Sequence, residues 1–94
     1  MQSYAANLQA WLERHKHYPR RARLRREEGV TLLYFVVNRN GEVLDYRIEQ
    51  SSGHLSLDEE VLAMIRRAQP LLPFPDFLPR ESMELVVPVQ FSLR

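Results

Sequence analysis

The chain has 94 residues, enough for one hydrophobic core and too few for a second, so residues 1–94 are expected to form a single domain. Hydrophobic residues make up 45% and charged residues 27%, an ordinary globular balance in which disorder is expected at the ends alone, and the net charge of +1 gives no general attraction to nucleic acid. Cysteine is absent, which removes disulfides, zinc–thiolate sites and thiol catalysis together.

No apolar run approaches the roughly 20 residues needed to span a bilayer. The first residues are too polar for a signal peptide, so a protein acting outside the cytoplasm would carry its export or anchoring segment elsewhere.

Ser3 is placed to cap a helix whose apolar residues Tyr4, Leu8, Trp11 and Leu12 share one face of a 3.6-residue period. This Tyr4 and Trp11 stripe reads as core. The helix should fray at His15 to His17, because Pro19 drives Tyr18 out of helical geometry. An arginine run follows: Arg20, Arg21, Arg23, Arg25 and Arg26 have no acid among them, and Ala22 and Leu24 suggest a short surface turn of helix. A nucleic-acid patch would interleave aromatic residues with these arginines; none is present, so a solvated face is the better reading. Contact with acidic headgroups or an acidic protein surface is the intermediate one.

From Gly29 the period shortens. Residues 30–37 are β-branched, aliphatic and aromatic, and after Asn40-Gly41 a second run begins at Val43, the pattern of a hairpin. The second strand alternates, with Leu44, Tyr46 and Ile48 predicted on one face and Asp45, Arg47 and Glu49 on the other. Both faces of the first are apolar: Val30, Leu32, Tyr34 and Val36 lie opposite Thr31, Leu33, Phe35 and Val37. That suits a central strand with a residual sticky outer face.

Ser51-Ser52-Gly53-His54 breaks the pattern as a turn. Ser56-Leu57-Asp58-Glu59 then resembles a capping box, opening a helix with Leu57, Val61, Ile65 and Ala68 buried and Pro70 ending it. Pro73, Pro75 and Pro79 should hold the next segment extended, with Phe74, Phe77 and Leu78 available to cover the core. The last run, Met83 to Leu93, alternates Leu85, Val87, Val89, Phe91 and Leu93 with Val86, Pro88, Gln90 and Ser92.

The expected order is α-β-β-α-β, an α+β two-layer sandwich with two helices on one face of a three-stranded antiparallel sheet of order 2-1-3. Pro88 places the last strand at an edge, because a residue without an N–H cannot serve an interior ladder. Hydrogen-bonding direction repeats every two residues along a strand, so Val86, Gln90 and Ser92 should also turn their backbone groups outward.

Catalytic and metal readings are weak. His15 and His17 do not share a helix face and nothing is spaced to join them with His54 around a metal. Ser51, Ser52 and His54 form a turn, not a triad, which needs a base oriented by a third group. Asp58, Glu59 and Glu60 suit a helix start without hydrolytic chemistry. No enzyme activity and no cofactor are expected.

Tyr18-Pro19, Glu28-Gly29, Asn40-Gly41, Ser51-Ser52-Gly53, Leu57-Asp58, the proline-rich loop and Pro88-Val89-Gln90-Phe91-Ser92-Leu93 occur in the order found in the TonB C-terminal domain family, which this chain resembles over nearly its whole length. The resemblance implies the periplasmic domain of an inner-membrane-anchored energy transducer of Gram-negative bacteria, working with ExbB and ExbD through a membrane helix not included here. It implies capture of the Ton box of an outer-membrane receptor, added as a strand beside Leu85 to Leu93, and transmission of proton-motive energy for uptake of iron-siderophore, haem or cobalamin. By the same resemblance, Val86, Val87, Pro88, Val89, Gln90, Phe91, Ser92 and Leu93 receive the Ton box. His15, Lys16, His17, Tyr18 and Pro19 approach the receptor plug, although other members carry Gln and Pro where His15-Lys16-His17 stands. Separately from the resemblance, the sticky outer face of the first strand makes a homodimer, or docking to the receptor, a further candidate contact.

Two alternatives share the architecture. A TolA-like cell-envelope interaction domain would use a similar edge. An acylphosphatase-like enzyme would need an arginine and an asparagine around a glycine-rich phosphate loop, which the sequence lacks.

Overall fold

The computed structural model describes residues 3–93. Ser3 caps the first helix, α1 (Tyr4–Arg14), its Oγ accepting from the Ala6 amide at 3.1 Å. A short helix α2 (Arg20–Leu24) begins after Pro19. Strands β1 (Gly29–Asn38) and β2 (Val43–Gln50) form the hairpin, α3 (Leu55–Arg67) crosses over, and β3 (Ser82–Phe91) returns. The antiparallel sheet has the order β2-β1-β3, as the alternation and Pro88 imply.

α3 lies over β1 and β2, α1 packs toward β3, and α2 rests on α3. The core sits between these layers: Leu8 and Leu12 from α1, Leu57, Val61, Met64 and Ile65 from α3, and Leu33, Phe35, Val87, Val89 and Phe91 from the sheet. Central β1 buries Thr31, Leu33, Phe35 and Val37 inward, while its outer residues are only half-covered and Val30 remains exposed.

Several expectations are corrected. Ser56 is not a cap: α3 starts earlier, with His54 at the cap position, and the Ser56 hydroxyl bonds Glu27 Oε1 at 2.5 Å. Asp58 serves a different purpose. Its carboxylate accepts from the Ser52 amide (2.9 Å), the Ser52 hydroxyl (2.9 Å), the Thr31 hydroxyl (2.9 Å) and the Ser51 hydroxyl, tying the turn and α3 to β1. Burial pushes its pKa up, but these four hydrogen bonds more than offset that and hold it below the ordinary 3.8.

Leu44 does not share a face with Tyr46 and Ile48. The register jumps from Val36↔Asp45 to Val37↔Val43, so Leu44 is the extra residue of a bulge; Val43 takes the inner position and Leu44 turns out, 60% exposed. Phe77 is likewise exposed, while Phe74 and Leu71 cover the core. β3 ends at Phe91 rather than Leu93, because its partner β1 begins at Gly29, opposite Phe91.

Gly41 shows why the hairpin needs glycine. Its φ is +89°, and a Cβ would lie 2.1 Å from the Leu71 carbonyl oxygen, while the Leu71 amide bonds the Gly41 carbonyl at 2.9 Å.

Candidate functional site

The open margin of β3 follows from its pairing. Ten consecutive residues match β1 from Gly29↔Phe91 to Asn38↔Ser82 without a register shift, and Pro88 stands opposite Leu32. In an antiparallel ladder, bonded and non-bonded pairs alternate. Pro88 has no donor to exchange, so Leu32↔Pro88 is a non-bonded pair and its neighbours Val87 and Val89 bond inward to β1. The carbonyl contacts agree with that direction: Gln90 O accepts from Lys16 Nζ at 2.5 Å, and Gln9 Nε2 approaches Pro88 O at 3.5 Å.

The side chains alternate in step. Val87, Val89 and Phe91 are buried, whereas Val86, Pro88 and Gln90 are exposed. Of the residues singled out in the last strand, Val86, Pro88 and Gln90 therefore offer backbone groups to the margin, and Val87, Val89 and Phe91 hold the strand to the core. Ser92 and Leu93 lie past the strand's end, where the Ser92 hydroxyl contacts Gln90 Nε2 at 3.0 Å.

The segment after α1 is only partly brought to this margin. Lys16 reaches it, its ammonium ion-paired with Glu13 and 5.2 Å from the centre of the Phe91 ring. His15 turns toward Trp11, with Nδ1 2.9 Å from the Trp11 carbonyl, and its own carbonyl accepts from Arg67. The His17 amide donates to Glu60 at 2.7 Å. Tyr18 is an anchor: its ring meets Phe91 edge-on at 5.4 Å and its hydroxyl donates to the Glu27 carbonyl. Pro19 ends the corner and starts α2. Gln9 is the residue that sequence reasoning missed. It sits on the polar side of an amphipathic helix, and no local signal separates it from an ordinary solvated glutamine.

The remaining candidates are structural. His54 faces Glu27 at 3.7 Å, and Ser52 Oγ accepts from the His54 amide at 3.1 Å within the turn. Among the described residues no group of three or more His, Asp or Glu side chains is arranged to hold a metal. Arg20, Arg21, Arg23, Arg25 and Arg26 are exposed, with Arg23 5.6 Å from the Tyr18 ring. No helix among the described residues is long and apolar enough to cross a membrane.

Residues 14–93 match the family described as Gram-negative bacterial TonB protein C-terminal. The chain belongs to that family. It is 37% identical over 91 residues to Protein TonB of Pasteurella multocida and 40% identical over 83 residues to Protein TonB of Pseudomonas putida, covering 97% and 87% of this chain. The chain spans 34% of the length of each of these relatives. The solution structure of the Helicobacter pylori TonB C-terminal domain superposes with a TM-score of 0.82 at 28% identity, covering 97% of this chain and 81% of that one. The HasB C-terminal domain gives 0.61 at 35% identity, covering 99% of this chain and 72% of that one. Membership of the TonB C-terminal family makes this a non-catalytic domain.

Proposed function

We propose that residues 1–94 form the periplasmic C-terminal domain of an inner-membrane-anchored TonB-type transducer, which captures the Ton box of an outer-membrane receptor by strand addition along β3. On this reading the domain passes on energy from the proton gradient for uptake of cargo such as iron-siderophore, haem or cobalamin. ExbB and ExbD are the partners of the rest of such a protein, and the receptor plug is the neighbour of the segment from His15 to Pro19. The observation that carries the reading is the margin of β3 that no strand pairs with, in unbroken register with β1 on its other side and with Val86, Pro88 and Gln90 turned outward. The TolA-like alternative has no observation of its own in its favour.

Four to six added main-chain bonds contribute about 0.5–1.5 kcal/mol each. They oppose an association cost of about 4–15 kcal/mol. Backbone pairing alone therefore binds weakly, and side-chain contacts near the margin must supply the remainder. Weak equilibrium binding is compatible with carrying load, since a pull along β3 shears all the bonds at once rather than opening them singly.

The test is an NMR titration of the domain with a synthetic Ton-box peptide. Shifts concentrated at 84–91 and at Lys16 are expected. Shifts confined to Arg20–Arg26, or to the β2 margin, would contradict the assignment.

A further inference from the structure

A bare strand margin leaves its carbonyls to water. Here the margin is occupied by side chains of the same chain. Lys16 Nζ holds the Gln90 carbonyl at 2.5 Å, although its side chain is only 17% exposed; Glu13 fixes the ammonium, and the Phe91 ring lies beneath it. One helical stretch away, Gln9 Nε2 stands 3.5 Å from the Pro88 carbonyl, too far for a strong bond but aimed at it. These are the acceptors that an added strand must use.

Between the two contacts lies a groove of about 460 Å³. One wall is α1, with Ala6, Gln9 and Ala10; the other is Val30, Pro88 and Gln90. Ala6 and Ala10 are four residues apart and so stack on one helix face, leaving side-chain room beside the margin. The one acid lining the groove, Glu13, is satisfied by Lys16, so an occupant needs no charge there.

We propose that α1 and β3 together form a guarded seat for one extended foreign segment, with Lys16 and Gln9 holding the margin's acceptors until the incoming backbone displaces them. The occupant presents an uncharged side chain to Ala6 and Ala10 and replaces the side-chain donors with its own amides. This deepens the strand-addition reading and rests on it. The seat also supplies a reason for α1 to run beside the margin: without the guard, the regular edge of β3 would pair with a second copy of itself.

Two variants at α1 and the following segment separate the parts of this proposal. Lys16→Met combined with Gln9→Ala removes the competitor, so the Ton-box peptide should bind roughly three- to tenfold tighter, the loss of one or two modest hydrogen bonds. The same double variant, without peptide, should self-associate at lower concentration than the wild type in sedimentation equilibrium. Ala10→Phe fills the groove at an exposed helix position, so it should weaken peptide binding at least about tenfold while leaving the thermal melt unchanged. Equal or weaker peptide binding by the double variant would overturn the guard, as would unchanged self-association. Wild-type affinity in Ala10→Phe would overturn the seat. If neither wild type nor variants bind the peptide, strand addition itself fails, while the self-association measurement still decides the guard.

Discussion

The two margins of the sheet are built differently. β3 runs against β1 for ten residues in unbroken register, whereas β2 breaks register twice, between Leu32 and Leu33 and between Val36 and Val37. The bulges bend β2, and Asp45, Arg47 and Glu49 are exposed along it. Twisting and charge are the usual means of keeping an edge from pairing. β3 has no register shift and, among its ten residues, one charge, Glu84, beside the missing donor of Pro88; it is covered instead by reversible side-chain contacts from Gln9 and Lys16. One margin is closed by its backbone, the other by groups that can move away.

β1 serves both margins, so the largest effect should come from its core. Phe35→Ala, at a fully buried residue paired to Tyr46 and Leu85, should cost about 3–5 kcal/mol in urea denaturation. Both margins should be lost in one transition; separate transitions would mean that they are independent units.

Gly41→Ala strains the β1–β2 turn, against the Leu71 backbone that packs on it. The positive φ and the 2.1 Å approach to Leu71 should cost about 2 kcal/mol or more. Peptide affinity at β3, measured below the unfolding midpoint, should be unchanged.

Asp58 ties β1 to the turn after β2 and to α3, and it provides a pH handle. Its folded pKa lies below the ordinary 3.8, so its stabilisation is present above that value and is lost as pH falls through the folded pKa. Asp58→Asn should lower stability at pH 7 by about 1–2 kcal/mol, in line with hydrogen bonds to a charged group. Denaturation of the variant should show a flatter pH dependence below 3.8 than the wild type. An equally steep acid loss in the variant would assign that dependence to other carboxylates.

The smallest effect is expected where the outer face joins the margins. Arg47 of β2 lies 3.8 Å from the Tyr34 ring centre, and the Tyr34 hydroxyl donates to Glu84 of β3 at 2.7 Å. Arg47→Ala should cost only about 0.5–1 kcal/mol, because the pair is exposed. A larger loss would make this face a strut between the margins.

The element order, the strand order and the open edge were legible because each has a local cause. Period changes mark the elements, and Pro88 carries its edge position in its own chemistry. Leu44 was not legible: a bulge is a property of two strands in register, and β2's alternation taken alone gives no sign of it. Asp58 was visible as an acid near a helix start, but Thr31, Ser51 and Ser52 converge on it only in the fold. The margin could be inferred from proline, whereas its guard could not, since Gln9 and Lys16 meet Pro88 and Gln90 across more than 70 residues of chain.

Amide hydrogen exchange of β3, without and with a Ton-box peptide, tests the central claim most directly. In the free domain Val87 and Val89 should exchange slowly and Val86 and Gln90 quickly, and the peptide should slow Val86 and Gln90 selectively. Protection of Val86 and Gln90 in the free monomer, or peptide-induced protection along β2 instead, would contradict it.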